Sequence, residues 1–449
     1  MTRLFSKKEV KIMKFGFGRT DITPLESVPL AGYGNDTSRY SDSVDYRLYA
    51  TCLAFSDEEA EPVLVYTLDL CVPPYHRFRD WAMPALAKAA GVDPDRILLA
   101  CTHNHSGPSL DEAQEPAIAR YMPYLIEKLA EAAKQALSDL AEAALQVGSI
   151  QTKGLNHVRR YVLEDGTFAG DNYGHFKLSP IAGHESEPDR ELQLVKLLRQ
   201  GKPDVILANF QMHPHRAGGS KKYLMSADII GAFREEMESD GVLFAYFTGG
   251  SGNVNGHSRI VEENVTPDHH EHGKALADYA RKISFRDAAA GAVKFATASV
   301  KVPVDHSKDH LVPVCKEIQA LWAKNHEHSD YRPVSDAHGI SNIYHADAII
   351  FKSEMGKTLD IPIWALSIGD VAFAAAPYEM FDTNGKQIRD GSPFKMTFVL
   401  TCTNERYAYI PSALGFRNGG YSADLCRFAP GTGELLANNY VNLLEELKQ

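Results

Sequence analysis

Two short segments of this sequence place a pair of histidines directly after an apolar run. The first, Ile97 to Pro108, has the sequence ILLACTHNHSGP and contains His103 and His105. The second, Val205 to Met212, runs into His213-Pro214-His215. In an extended backbone, side chains at positions i and i+2 point to the same side. The spacing therefore predicts converging imidazoles, which suit a metal ion or a metal together with a proton-transfer group.

The apolar runs before these histidines predict buried strands, because short uncharged runs bounded by breakers are typical of sheet interiors. In α/β proteins, ligands bind at the carboxyl ends of such strands. A third apolar run, Val371 to Ala376, is followed by Glu379. Two histidines and one carboxylate are a common ligand set for a hydrolytic zinc. The residues alone thus indicate His103, His105, His213, His215 and Glu379, and they leave open whether these side chains meet.

Further candidates lie in two glycine-rich segments. Residues 154–191 are polar and form a long loop, which is typical of functional segments. The neighbouring Arg159 and Arg160 can clamp a carboxylate or phosphate, or can be a solvated surface pair. After the strand predicted at Val242 to Phe247, the turn TGGSGNVNG has glycines that let backbone N–H groups approach a ligand or oxyanion, and Asn255 is a candidate substrate contact.

The composition limits the class of protein. The chain has 449 residues, a formal net charge of −11 and an apolar share of 44%. These values are typical of a globular protein with a large core, and the acidic balance argues against nucleic-acid binding. No apolar run approaches the roughly 18 residues of a transmembrane helix, so we expect no transmembrane segment.

The beginning of the chain and its cysteines bear on the compartment. The segment MTRLFSKKEVKIMKF is basic but lacks the apolar region of a secretory signal. The six cysteines are scattered without a CxxC motif, which indicates buried thiols in a reducing compartment. We therefore expect a cytoplasmic protein with a flexible leader over residues 1–14. Homo-oligomerisation is left open.

Alternating strand and helix patterns predict an α/β fold. We expect a mixed β-sheet flanked by helices, in a single large catalytic domain over residues 15–449. Within it, residues 325–342 are polar and are expected to form a surface excursion. Ala346 to Lys352 is expected to be a strand paired with Ile361 to Ile368.

A set of short motifs follows a fixed order along residues 15–445: GRTDITP, AGYG, THNHSGP, a His-Pro after a strand, SADIIGAFREE, a glycine-rich turn, PYEMF and YAYIPS. Together they resemble the neutral/alkaline non-lysosomal ceramidase family. The resemblance implies that family's catalytic-domain fold and a zinc-dependent amidase. It implies zinc ligands at His103, His213, Glu379 and Tyr409. It also implies that His105 lies beside the scissile bond and Tyr421 near the substrate.

The chain departs from this family's pattern in several places. Where the family has Gly-Asp-Val-Ser-Pro-Asn, this chain has GNVNGH from Gly252 to His257, so a serine nucleophile is not expected and a metal-activated water is favoured. The family's Asn-Arg pair is altered, since His157 follows Asn156. The chain ends with the catalytic domain, and no C-terminal immunoglobulin-like domain is expected. These departures put ceramide in question as the substrate.

The sequence therefore predicts a zinc-dependent hydrolase that cleaves an amide (N-acyl) bond, or an ester, with a metal-activated water. One Zn²⁺ per chain is expected, or another divalent metal. His105 or Tyr421 would donate a hydrogen bond or a proton at the carbonyl, and the two arginines would recognise an anionic group on a small-molecule or N-acyl substrate. Two alternatives stay open: a metal-dependent enzyme of the same fold acting on a small polar carbohydrate or acyl metabolite, and a non-catalytic metal- or ligand-binding protein.

Overall fold

The computed structural model describes residues 13–33, 39–57, 61–74, 78–110, 115–170, 179–219, 222–325 and 327–449. The strands in these ranges are β1 (Lys14–Asp21), β2 (Ser43–Val44), β3 (Tyr49–Ser56), β4 (Val63–Leu68), β5 (Ile97–Cys101), β6 (Ala141–Gln151), β7 (His157–Val158), β8 (Arg160–Leu163), β9 (Phe168–Gly170), β10 (Ile181–His184), β11 (Glu191–Arg199), β12 (Val205–Phe210), β13 (Leu224–Met225), β14 (Leu243–Thr248), β15 (Val254–Asn255), β16 (Arg286–Ala288), β17 (Val293–Pro303), β18 (Thr358–Ile368), β19 (Val371–Ala375), β20 (Glu379–Met380), β21 (Met396–Leu400) and β22 (Tyr409–Ile410). The helices are α1 (Met83–Ala90), α2 (Pro116–Ser138), α3 (Asp228–Glu238), α4 (His269–Arg281), α5 (Val312–Asn325), α6 (His328–Ala337), α7 (Ile343–Ser353), α8 (Asp382–Gly391), α9 (Ala413–Asn418), α10 (Tyr421–Asp424) and α11 (Thr432–Lys448).

These elements stack in four layers. One large mixed sheet has the strand order β14-β12-β11-β6-β1-β3-β4-β5, with β16 paired to β6, and a smaller sheet has the order β17-β18-β19-β21. Helices α1 to α4 cover one face of the large sheet, and the small sheet packs against its other face. The outer face of the small sheet carries α8 and α11. The predicted fold class, a mixed sheet flanked by helices in one domain, is confirmed, and the second sheet is an addition to it.

The two faces of strand β4 pack into two different hydrophobic cores. Leu64, Tyr66 and Leu68 pack with α1 and α2, whereas Val63 and Val65 pack against the small sheet. This division follows from the alternation of side chains along a strand. Because both faces are buried, the strand is apolar throughout and shows no polar alternation.

The ends of several strands meet at one edge. The parallel pairs β4/β5, β12/β14 and β19/β21 each end at a common edge. The Thr248 hydroxyl, at the end of β14, donates to the Thr102 carbonyl over 2.6 Å, and the Thr401 N–H donates to the Thr248 carbonyl over 3.1 Å. The segments that follow β5, β14 and β21 therefore lie side by side, in the position where α/β proteins bind ligands.

Two sequence predictions of secondary structure are wrong. Residues 325–342 were expected to be a surface excursion but include α6, and Ala346 to Lys352 was expected to be a strand but lies within α7. Ile343, Ala346 and Ile349 recur at helical spacing and pack with α5 and α6 in a separate apolar cluster. The apolar run was too short for its period to distinguish a helix from a strand. No helix in the described ranges is both long enough and apolar enough to cross a bilayer.

The predicted leader covers residues 1–14, and residues 1–12 of it lie outside the described residues. Met13 is buried, and Lys14 pairs with Ser56 as the first residue of β1. The ordered sheet thus begins slightly before the predicted domain start at residue 15, because the Met13 side chain packs between the two sheets.

Phe373 lies in the interface between the two sheets. Its buried ring contacts the rings of Phe55, Phe247 and Phe398 at centroid distances of 5.7, 6.3 and 5.5 Å. We expect Phe373→Ala to lower the free energy of unfolding by about 3–5 kcal/mol, because the substitution leaves a cavity. Urea denaturation would measure the loss. Phe168→Ala, at a ring that is 41% exposed, is the control and should change stability by less than about 0.5 kcal/mol. Equal losses in both variants would contradict this account of the core.

Candidate metal centre

His103 lies just beyond β5 in a backbone conformation that only few side chains adopt. Its φ is +66°, in the left-handed region, and its N–H donates to the Leu70 carbonyl over 2.9 Å. Holding a residue with a side chain in this region costs about 1–3 kcal/mol, and such residues concentrate at functional sites. The extended backbone predicted here is therefore wrong at His103. The imidazoles of His103 and His105 nevertheless lie together, with their Nε2 atoms 3.4 Å apart.

Three predicted side chains converge on one point. The Nε2 atoms of His103 and His213 are 2.9 Å apart, and the Oε2 atom of Glu379 lies 3.3 and 3.2 Å from them. His213 follows β12, and its N–H donates to the Val254 carbonyl over 2.9 Å. Glu379 begins β20, after a short connection from the end of β19. The large sheet thus supplies both imidazoles and the small sheet supplies the carboxylate. We call these three residues the central cluster.

Backbone carbonyls fix the orientation of both rings. The Nδ1 atom of His103 lies 2.7 Å from the Cys71 carbonyl oxygen, and that of His213 lies 2.6 Å from the Ser251 carbonyl oxygen. A carbonyl oxygen only accepts hydrogen bonds, so each Nδ1 carries the proton and donates it. In the neutral rings, both Nε2 atoms then carry the lone pairs and lie together with Glu379 Oε2 in the central cluster. This is the arrangement in which proteins hold metal-ligating histidines.

The central cluster attracts a positive charge. Burial raises the pKa of the Glu379 carboxyl group, but His103 and His213 outweigh this and hold it well below its usual value. Burial lowers the pKa of His103, yet Cys402 and Glu379 raise it overall. His213 stays neutral, because burial and the charge of Arg159 lower its pKa to about 3. Either a proton or a metal ion can supply this charge.

The donor set fits a divalent metal. Glu379 Oε2 is buried and has no hydrogen-bond partner in the described part of the chain. Ligand atoms around a tetrahedral zinc ion lie roughly 3.3 Å apart, close to the distances within the central cluster. A proton would link only two of the three atoms, whereas a cation contacts all of them. Two imidazole nitrogens with one carboxylate oxygen suit zinc and neighbouring transition metals.

Tyr409 lies opposite Glu379 in the short parallel pair β20/β22. The Glu379 N–H donates to the Ala408 carbonyl over 2.9 Å, and Ala408 has a φ of +59°. The buried Arg159 guanidinium donates from Nη2 to the Tyr409 hydroxyl over 3.0 Å. Burial and Glu379 raise the pKa of this hydroxyl, and Arg159 opposes the rise. The pairing places Tyr409 on the side of Glu379, as a fourth ligand would require.

His103 and Glu379 of the central cluster line a cavity of about 1820 Å³, which is also lined by His105, Arg159 and Tyr421. Burial, together with His103 and His213, holds the pKa of His105 well below its usual value, so this imidazole is neutral at pH 7. The Tyr421 ring meets the Tyr409 ring edge-on at 5.4 Å. Predicted catalytic and substrate-binding side chains are therefore brought together with the predicted ligands.

Arg160, by contrast, lies away from this cavity. Its guanidinium forms a buried ion pair with Glu185, with Nε 2.7 Å from Oε2, and donates to the carbonyls of Gly415 and Gly419. Adjacent residues on extended backbone point to opposite sides, which separates Arg160 from Arg159. The prediction that both arginines clamp one substrate anion is therefore wrong for Arg160. This residue connects the segment around Glu185 to that around Gly415 and Gly419.

The glycine-rich turn packs beside the predicted ligands, and two of its glycine N–H groups are used within the protein. The N–H of Gly252 donates to the Met380 carbonyl over 2.7 Å, and that of Gly249 donates to the Phe210 carbonyl. Asn255 is fully buried, and its backbone pairs with His157 and bridges to His213. The N–H groups of Gly249 and Gly252 therefore do not fill the oxyanion role predicted for this turn, because both donate to carbonyls within the protein.

The predicted candidate His215 and the buried acid Asp69 have distinct surroundings. His215 lies near His105 and His257, with ring centroids 5.4 and 4.9 Å apart, and belongs to the cavity wall. Asp69, an acid at the end of an apolar run, accepts two hydrogen bonds from Arg234 at 2.8 and 2.6 Å. Asp69 is thus a buried ion-pair partner that connects β4 to α3.

A serine, a histidine and an aspartate also meet at the cavity wall. Ser341 Oγ lies 3.1 Å from His345 Nδ1 and donates to Asp424 Oδ2 over 2.7 Å. In a hydrolytic triad the serine and the acid occupy different ring nitrogens. Here the acid also lies nearest to Nδ1, while Lys308 is 3.0 Å from Nε2. This group therefore lacks the geometry of a serine nucleophile with its base.

Two solved ceramidase structures are similar to this chain. A structure described as "Ceramidase complexed with C2" is similar with a TM-score of 0.71 and 15% identity, covering 98% of this chain and 75% of that chain. Neutral ceramidase from Pseudomonas aeruginosa gives a TM-score of 0.69 and 16% identity, covering 97% and 75%. This chain has the neutral ceramidase fold. No protein-family model and no curated sequence matches it.

The sequence predictions missed several residues that shape the site within this neutral ceramidase fold. The backbone carbonyls of Cys71 and Ser251 orient the histidines, and carbonyl positions leave no signal in the sequence. Gly32 packs on the His105 ring, since a Cβ atom there would lie 2.5 Å from Cγ of that ring. The AGYG motif was the available signal, because its first glycine, Gly32, has a φ of +83°, which glycine adopts without strain. Residues of α6 and α7 also line the cavity, although they were predicted as an excursion and a strand.

Gly252 packs directly against the backbone of Glu379. A Cβ atom at Gly252 would lie 2.8 Å from the Glu379 carbonyl oxygen. We expect Gly252→Ala to displace this ligand and to weaken zinc binding by about tenfold or more, as changes next to metal ligands commonly do. Zinc titration of chelator-treated protein would measure the affinity. Gly356→Ala is the control, because its nearest neighbour would be 3.6 Å away. Equal affinities in the two variants would rule out this packing role.

Proposed function

We propose that this protein is a metal-dependent hydrolase that cleaves an amide bond, or an ester, in an acyl substrate. The observation that carries the proposal is the convergence of His103 Nε2, His213 Nε2 and Glu379 Oε2 within 3.3 Å, with each Nδ1 tied to a backbone carbonyl. The likeness of the fold to ceramidases supports hydrolysis of an acyl bond. A purely structural metal site is disfavoured, because the cluster opens into a large cavity.

In this proposal His103, His213, Glu379 and Tyr409 hold one zinc ion. A bound zinc ion would lower the pKa of a water molecule and would polarise the substrate carbonyl. The Nδ1–H donation to Cys71 and Ser251 fixes the tautomer and the orientation of both imidazoles. Arg159 favours an anionic Tyr409 oxygen, because it donates to that oxygen from a buried position.

His105 and Tyr421 act on the substrate. His105 is neutral and next to the central cluster, so its ring N–H can donate a hydrogen bond to the substrate carbonyl oxygen. Burial and Glu379 raise the pKa of Tyr421, which keeps its hydroxyl protonated and able to donate a hydrogen bond to the carbonyl oxygen. A water nucleophile agrees with the buried position of Ser251, which does not line the cavity.

The cavity wall favours an anionic substrate. Asp268, Asp347 and Glu379 are its acidic residues, and they are outnumbered by the basic residues Arg159, Arg216, Lys222, Arg259, Arg332, Arg406 and Arg427. This excess of positive charge contrasts with the net charge of −11 for the whole chain. A positively lined cleft concentrates anions from solution. We therefore propose an acyl compound that carries a carboxylate or phosphate, in preference to the uncharged ceramide.

Metal removal tests the first part of the proposal. We expect a chelator to abolish hydrolysis of N-acyl amides and esters, and added zinc to restore it. His103→Ala and Glu379→Gln should each lower kcat/KM by about a thousandfold or more, because metal polarisation contributes several kcal/mol. His338→Ala, at an exposed histidine that does not line the cavity, is the matched control and should be unaffected. Hydrolysis that is indifferent to chelator and survives His103→Ala would refute the mechanism.

Removal of one charge tests the substrate class. Arg406 lines the cavity, and its charge acts on Tyr421. We expect Arg406→Gln to raise KM about tenfold for anionic acyl substrates and less than about twofold for neutral ones, since a charged hydrogen bond contributes about 1.5–3 kcal/mol. Added salt should raise KM for the anionic substrates alone. Arg286→Gln, on the exposed β16, is the control. Equal effects on both substrate types would contradict the anionic class.

A further inference from the structure

A second group of ligating side chains lies outside the central cluster. His157 is the first residue of β7, His184 is the last residue of β10, and Glu263 ends a short 3₁₀ turn, Val261–Glu263. The Oε2 atom of Glu263 lies 2.6 Å from His184 Nε2 and 3.4 Å from His157 Nδ1. We call these three residues the rim cluster. They come from three separate segments of the chain.

The rim cluster repeats the donor pattern of the central cluster. His184 Nδ1 contacts the Val158 carbonyl, and His157 Nε2 lies 3.2 Å from the Gly154 carbonyl. Since these carbonyls only accept, both outer ring nitrogens donate protons to them. In the neutral rings, the two remaining nitrogens, His184 Nε2 and His157 Nδ1, carry lone pairs and lie 2.6 and 3.4 Å from the same carboxylate oxygen. Ser258 Oγ is a further oxygen, 3.3 Å from His184 Nε2.

An ion pair explains only part of this geometry. A protonated His184 would satisfy Glu263 by itself. The position of His157 Nδ1, 3.4 Å from the same carboxylate oxygen, would then have no explanation. Burial lowers the pKa of His157, although Gly154 and Glu263 oppose the shift, so a second imidazolium is not favoured there. A divalent cation contacts both nitrogens and the carboxylate together.

We propose that His157, His184 and Glu263 form a second divalent cation site, with a structural role. Two imidazole nitrogens and one carboxylate oxygen suit zinc or a similar transition metal, with Ser258 or water completing the shell. The Glu263 side chain is 35% exposed, so ions can enter from solution. The site would fasten the turn around Glu263 to β7 and β10.

This position gives the site a consequence for the cavity. Val261, Asn264 and Val265, around Glu263, line the cavity wall, and the two valines are 73% and 60% exposed. β7 pairs with β15, whose Asn255 bridges to His213. A cation in the rim cluster would therefore set the edge of the cavity without contact to the central cluster. The inference does not depend on the proposed hydrolase activity.

Zinc stoichiometry of the full-length, chelator-treated protein tests this site. Equilibrium dialysis against Zn²⁺ followed by metal analysis would be run on the unaltered chain and on His103→Ala/His213→Ala. We expect His184→Ala to remove one bound equivalent in both backgrounds. This difference is independent of whether the central cluster binds metal. Zinc should also raise the Tm of the His103→Ala/His213→Ala protein, and the added His184→Ala should abolish that rise.

Two further variants complete the experiment. Glu263→Gln keeps the side-chain shape and should weaken zinc binding at this site by about tenfold or more, which covers the case in which His184→Ala fails to fold. His306→Ala is the matched control, because His306 pairs with Asp309 over 2.9 Å at a site without a second histidine. Unchanged stoichiometry in His184→Ala and Glu263→Gln would overturn the proposal and leave a buried ion pair.

Discussion

The candidate site depends on two hydrogen bonds from imidazole Nδ1–H groups to backbone carbonyls. The Cys71 carbonyl holds His103, and the Ser251 carbonyl holds His213. Without them, either ring could rotate or change tautomer, and the lone pairs would no longer face Glu379. Both carbonyls belong to segments that follow strands closely, so the sheet restrains the positions of the imidazoles. The left-handed backbone at His103 brings its ring within reach of Cys71, at a cost of about 1–3 kcal/mol that the surrounding packing must offset.

Much of this arrangement could be predicted from the sequence, because strand ends and histidine spacing are local signals. The apolar runs before His103, His213 and Glu379 correctly indicated strands, and the motif order indicated the fold. The four-layer arrangement left no comparable signal, since an apolar run does not reveal which sheet a strand joins. The pairing of Glu379 with Tyr409 depends on β20 and β22, two-residue strands that propensity cannot detect.

The roles of the charged residues were harder to predict, because they depend on the direction of each side chain. Arg159 and Arg160 are adjacent, yet one supports Tyr409 and the other pairs with Glu185. The acidic composition gave no indication of a cavity with a basic lining, since a net charge averages over the whole surface. The sequence did not indicate that His157 and His184 lie together, because they are distant along the chain and meet only when β7 and β10 are in place.

The division of the central cluster between two sheets couples it to the assembly of the molecule. His103 and His213 follow strands of the large sheet, whereas Glu379 and Tyr409 follow strands of the small one. A chain in which the sheets have formed but have not docked would present only half of the ligands and would bind a cation weakly. Any cation held by the full set therefore adds its binding free energy to the native state alone. Metal supply in the cell would then influence how much of this protein completes folding and escapes proteolysis, independently of its effect on turnover.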